Sequence, residues 1–185
     1  TDDVTVTVNA LPAVSAGSDF IVCQNGQATV NGSGAQTYVW SNNVVNNNPF
    51  AVPSTVTLTV TGTDANGCVN TDDVTITASP LPVINAGANI EQCGDQNVTL
   101  TASGATYYTW NNGIQNGVAF NAPFGTTSYI VTGVDTIGCS GSDVINVTIN
   151  EIPVATATAA DAITLVATPA NASYQWINCS DNSPI

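Results

Sequence analysis

Residues 57–77 read TLTVTGTDANGCVNTDDVTIT, two runs of strict alternation joined by a turn. Leu58 and Val60 alternate with Thr57, Thr59 and Thr61, and Val74 and Ile76 alternate with Asp73, Thr75 and Thr77. Successive side chains of a strand point to opposite faces, so this pattern requires a sheet buried on one side. Asp64-Ala65-Asn66-Gly67 supplies the turn, because Asp and Asn bond their own backbone and Gly accepts positive φ. Cys68 follows directly, and the stretch predicts a hairpin with a cysteine near its tip.

The hairpin recurs at residues 128–149, where Thr132-Gly133, Asp135 and Gly138-Cys139 match Thr61-Gly62, Asp64 and Gly67-Cys68. Pro12 to Pro82, Cys23 to Cys93 and Trp40 to Trp110 are each 70 residues apart, while Cys68 to Cys139 and Pro82 to Pro153 are 71. One residue is therefore inserted, between Pro123 and Tyr129. A period near 70 exceeds the roughly 20–50 residues of a solenoid unit and suits a small β domain. Residues 1–7, TDDVTVT, match 71–77, TDDVTIT, and predict the last strand of a preceding repeat, with Val4, Val6 and Val8 inward. The expected organisation is a window on a longer array: that strand at 1–9, repeats at 10–80 and 81–151, and a truncated repeat of another subtype at 152–185. The third unit lacks a cysteine equivalent to Cys23 and reaches Tyr174-Gln175-Trp176 early, 66 residues after Trp110.

Within each repeat, short runs such as Phe20-Ile21-Val22-Cys23, Ala28-Thr29-Val30 and Thr37-Tyr38-Val39-Trp40 are separated by Gly, Asn and Pro. That punctuation, with β-branched residues dominant and no helical period, predicts an all-β chain of tandem Ig-like sandwiches in a linear array. The connectors Ala10-Leu11-Pro12, Pro80-Leu81-Pro82 and Glu151-Ile152-Pro153 each carry a proline that stiffens the joint.

Charge narrows the function. The chain has 13 acidic residues, no Lys, Arg or His, and a net charge of −13. Nucleic-acid binding needs cations against phosphate and is excluded for this segment, and an anionic membrane surface is disfavoured. The 43% hydrophobic content separates it from a disordered acidic tail, and no run approaches the roughly 20 apolar residues of a membrane span. Five cysteines are present, and Cys23/Cys68 and Cys93/Cys139 recur in pairs 45 and 46 residues apart. Recurrence in pairs argues for one disulfide inside each repeat and an oxidising compartment, with Cys179 left to a partner beyond Ile185. Zinc is a poor alternative without histidine or close cysteine pairs.

The order Pro, Ala-Gly, Cys, Gly-x-x-x-Tyr-x-Trp, Pro, then Tyr/Leu-x-Val-Thr-Gly-x-Asp-x-x-Gly-Cys, found twice over residues 10–150, resembles the Ig-like, PKD-like repeats of very large surface proteins of Bacteroidota. The resemblance implies export by the type IX system, and the gliding-motility adhesins are the best-known group. Residues 174–179 are similar to an Ig-like module near the C-terminal sorting domain of such proteins. Where PKD domains proper carry Trp-Asp-Phe-Gly-Asp-Gly, this chain has Trp40-Ser41-Asn42-Asn43 and Trp110-Asn111-Asn112-Gly113. The implied setting is extracellular, at the cell surface, with neighbouring repeats as partners and a surface or glycan ligand elsewhere in the parent protein.

Catalysis has only carboxylates to draw on, and the adjacent Asp72-Asp73 point to opposite faces of a strand, so no enzyme is expected. For calcium, which takes six to eight oxygens, the weak candidates are Asp64, Asp72, Asp135 and Asp143, but Asn66 is replaced by Ile137 in the second copy and turn chemistry is favoured. No other cofactor is expected. Trp40, Trp110 and Trp176 occupy one equivalent position and read as core tryptophans, packed on a disulfide, rather than a sugar platform. Asn31, Asn97, Asn146, Asn171 and Asn178 begin formal N-glycosylation sequons, and Thr136 in Asp135-Thr136-Ile137 resembles a Bacteroidota O-glycan acceptor. The expected function is a stalk segment of a surface adhesin or filament. One alternative is a carbohydrate- or protein-binding module presenting Tyr107 and Phe120; another is a fibre subunit polymerised by strand donation from residues 1–9.

Overall fold

The computed structural model describes residues 2–94, 97–160, 165–169 and 172–176. Among them, two β-sandwiches follow one another in tandem. The first contains β1 (Phe20–Cys23), β2 (Gly26–Ala28), β3 (Thr37–Trp40), β4 (Phe50–Val52), β5 (Val56–Thr63) and β6 (Val69–Ser79). As the alternation requires, β5 and β6 pair antiparallel from Val56 opposite Ile76 to Thr63 opposite Val69. Leu58, Val60, Val74 and Ile76 point inward and are buried, and the outer face carries a threonine ladder, with the Thr57 and Thr75 hydroxyls 3.1 Å apart. Burying side chains of this size contributes about 1.5–3 kcal/mol each, which makes this hairpin the centre of the unit.

The main sheet has the order β1-β6-β5-β3, and a second sheet, β2-β4, closes the core. Before β1, the entering chain makes an isolated antiparallel bridge between Ser15 and Ser33 and then turns into the main sheet. Gly17, at φ 85°, makes that turn, and β1 then joins β6 in parallel with Cys23 opposite Ser79. That parallel placement sends β1 and β6 to the same end of the sandwich.

The second sandwich repeats the first: β7 (Ile90–Cys93), β8 (Asn97–Thr99), β9 (Tyr107–Trp110), β10 (Ala119–Asn121), β11 (Gly125–Val134) and β12 (Ser140–Asn150), in sheets β7-β12-β11-β9 and β10-β8. β7 runs parallel to β12, with Cys93 opposite Asn150. Gly34 and Gly104 sit where the entering strand passes: a Cβ at Gly34 would lie 1.8 Å from the Ala13 carbonyl oxygen, and one at Gly104 2.0 Å from that of Val83.

Two features depart from expectation. A 3-10 turn follows each core tryptophan, at Ser41–Asn43 and Asn111–Gly113, too short to leave a helical period in the sequence; Asn42 and Asn112 take the left-handed conformation that asparagine tolerates. Residues 2–9 form no strand and pair with none of the described sheets, and Val4, Val6 and Val8 are exposed rather than inward. Of the third unit, β13 (Thr156–Ala159) and β14 (Leu165–Thr168) form an antiparallel hairpin.

Candidate functional site: the joint between the sandwiches

Cys23 and Cys139 are joined by a disulfide across 116 residues, with their Cα atoms 5.5 Å apart. The bond links the end of β1 in the first sandwich to the tip of the β11–β12 hairpin in the second. The expected pairs Cys23–Cys68 and Cys93–Cys139 are not formed, and Cys68 and Cys93 are free thiols. The reason is geometric. Cys23 lies beside Ser79 at the end of β6, whereas Cys68 precedes Val69 at its start. A strand of that length spans roughly 33 Å at about 3.3 Å per residue, far beyond the ~7 Å that a disulfide can bridge. The same separation holds between Cys93, opposite Asn150, and Cys139, just before Ser140. Cysteines that recur once per repeat at each end can pair within a repeat or across to the next, and the same recurrence in the sequence is compatible with both. The strand direction of β1, not legible in the pattern, decides it. Cys179 lies outside the described residues.

The hairpin tip that carries Cys139 is fixed by Asp135. Its Oδ1 accepts hydrogen bonds from the amides of Ile137, Gly138 and Cys139, each at 2.9 Å. Asp64 Oδ1 likewise accepts from the Asn66 and Cys68 amides at 2.8 Å. Only the backbone of Asn66 or Ile137 is used, which explains why that side chain changes freely between copies. The other two calcium candidates are engaged elsewhere: Asp72 Oδ2 accepts from the Ala16 amide and Asp143 Oδ2 from the Ala86 amide, both at 2.8 Å, tying each entering strand to its hairpin. These bonds hold the Asp143 carboxyl below its ordinary pKa, the Ala86 amide foremost and the Val144 amide second. Among the described residues, no group of three acidic or cysteine side chains is placed to hold a metal ion.

Trp40 and Trp110 are buried at equivalent places, as expected, but neither packs on a disulfide inside its own sandwich, since none is there. Each indole is held by an asparagine that the sequence reading missed. Asn46 Oδ1 accepts from Trp40 Nε1 at 2.9 Å and from the Gly32 amide at 2.8 Å. Asn116 Oδ1 accepts from Trp110 Nε1 at 3.1 Å and from the Ala102 amide at 2.8 Å. The signal was present, an asparagine six residues after each tryptophan, but it was hidden in asparagine-rich loops. Tyr38 and Tyr108 clamp the preceding turns: each hydroxyl accepts from one backbone amide and donates to the carbonyl of the same residue, Ala35 and Ala105 respectively.

Trp176 departs from the pattern, being 38% exposed beside β13 and β14. Of the two aromatic side chains considered for ligand contact, Phe120 packs edge-on against Tyr129 with ring centroids 5.2 Å apart and belongs to the core, while Tyr107 is exposed. A groove of about 410 Å³ lies on the first sandwich, lined in part by Val44, Val45, Pro49, Phe50 and Val56. Thr136 is exposed on the tip. Asn31 and Asn97 are exposed and Asn146 half-buried; Asn171 and Asn178 lie outside the described residues.

No family model matches the chain, and no curated protein matches it. Among solved structures, human mucin-like protocadherin EC1-2 aligns at 13% identity and a TM-score of 0.30, over 76% of this chain and 100% of that one. Protocadherin gamma B7 extracellular cadherin domains 1–4 align at 12% and 0.33, over 80% and 54%. Drosophila N-cadherin EC1-4 aligns at 14% and 0.30, over 76% and 50%. The chain thus spans about half the length of the latter two.

Proposed function

We propose that this chain is a stalk segment: tandem sandwiches that hold a distal binding region away from a cell and carry tension without lengthening. The Cys23–Cys139 bond carries this reading, because it ties one sandwich to the next rather than strengthening either alone. A binding module gains little from a covalent strut between neighbours; a stalk gains stiffness at the joint where it would otherwise bend. The disulfide also favours an oxidising, extracellular setting. In line with the repeat's resemblance, the parent would be a surface adhesin or filament of the type IX-exported, gliding-associated kind, with no enzymatic role for this segment. The test measures the joint: spin labels on exposed positions of the two sandwiches should give a narrow distance distribution that broadens in Cys23→Ser while both cores stay folded. A distribution equally broad with and without the bond would remove the stalk reading.

A second reading has one observation in its favour. Val4, Val6 and Val8 alternate and are exposed, the pattern of a strand awaiting a sheet. If they complete a sheet of another copy, the chain should assemble with rising concentration and Val6→Asp should abolish assembly. In the stalk reading the same residues belong to an adjoining sandwich, and the chain stays a monomer.

A further inference from the structure

Four cysteines occupy two kinds of place: Cys23 and Cys93 end the strand beside the last strand of a sandwich, and Cys68 and Cys139 follow a hairpin tip. Only one of each kind is bonded. Cys139, bonded to Cys23, is 1% exposed, while Cys68 at the matching tip is half-buried; Cys93 is exposed, while the bonded Cys23 is half-buried. The two free thiols therefore have the local frame of the bonded pair and lack only the neighbour. Asp64 orders the Cys68 amide as Asp135 orders that of Cys139, so the tip is already set.

We infer that Cys68 and Cys93 are halves of two further inter-domain staples: Cys68 accepts a Cys23-like cysteine from a sandwich of this type seated before the first, and Cys93 bonds the tip cysteine of one seated after the second. The inference rests on the stalk reading and extends it to a continuous ladder in which every sandwich is stapled to both neighbours. Each new bond joins the two Sγ atoms; the two thiol protons and two electrons pass to a small-molecule disulfide, which leaves as two thiols. Cys68 and Cys93 are only 25 residues apart, so a ladder routes tension through short stretches of backbone and sulfur and spares most of each sandwich.

A tandem duplicate tests both halves at once. Residues 1–150 followed by 10–185, with Cys179→Ser, place Ala10 after Asn150 in the same register as Pro80 after Ser79. The product is folded in a buffer of oxidised and reduced glutathione, its thiols are counted, and its disulfides are mapped by mass spectrometry. The ladder predicts a bond from the first copy's Cys93 to the second copy's Cys68, besides Cys23–Cys139 in each copy, leaving two free thiols. Cys93→Ser in the first copy should raise that number to three and leave both Cys23–Cys139 bonds in place. Four free thiols with both Cys23–Cys139 bonds present would overturn the ladder while sparing the joint. Absence of the Cys23–Cys139 bonds would overturn the joint, and the ladder with it. In the unaltered chain, a Cys93–Cys179 bond would also contradict the assignment.

Discussion

Asn46 and Asn116 each satisfy a buried indole and a loop amide with a single oxygen. Asn46→Leu leaves both donors of its site without a partner, and unpaired buried groups cost about 1–3 kcal/mol each, so the first sandwich should lose about 2–6 kcal/mol in urea titration. Trp40 and Trp110 were legible as core because their spacing repeats the domain; their asparagine partners were not, because a hydrogen-bond acceptor in a loop leaves no hydrophobic period. Asp143 gives a pH signature. Its folded pKa lies below the ordinary 3.8, so its contribution is present above that value and is lost as pH falls through the folded pKa. Asp143→Asn should therefore be less stable than the parent at pH 7, and the difference should shrink below about pH 4. Urea midpoints at pH 7 and pH 2.5 check it; a gap that stays constant would contradict the assignment.

Hairpins β5–β6 and β11–β12 were legible residue by residue, since alternation fixes which side chains face inward. The route of β1 was not. Its four residues carry no mark of parallel or antiparallel pairing, and that choice alone moved Cys23 to the far end of the sandwich from Cys68. The hairpin tips argue the calcium question at this scale. Asp64 and Asp135 already serve two or three amides through one oxygen, and Asp72 and Asp143 each tie an entering strand. Millimolar Ca²⁺ should shift the melting temperature by no more than about 2 °C, a shift that corresponds to well under 1 kcal/mol in a small domain. A large rise abolished by Asp64→Ala would make the tip a metal site.

Across the molecule, the absence of Lys and Arg gives a clean protease test. Trypsin has no bond to cut in this chain, folded or unfolded, whereas resistance to chymotrypsin depends on the fold because aromatic residues such as Trp40 and Tyr129 are buried. Oxidised protein should resist both enzymes, and reduced, heated protein should fall to chymotrypsin alone. Rapid chymotryptic cleavage of the oxidised, folded chain between residues 12 and 150 would describe a loose linker instead of packed sandwiches.

Stretching single molecules by their ends tests the inter-domain staple most directly. With Cys23 bonded to Cys139, the 116 residues between them cannot extend, so reduction should add about 400 Å of contour length at roughly 3.5 Å per residue. It should appear only after the bond is broken, and Cys23→Ser should release it without a reductant. Bonds within each sandwich would lock 45 and 46 residues instead, and reduction would then add about 160 Å per sandwich, or about 320 Å in all. That second outcome would contradict the staple and the stalk built on it.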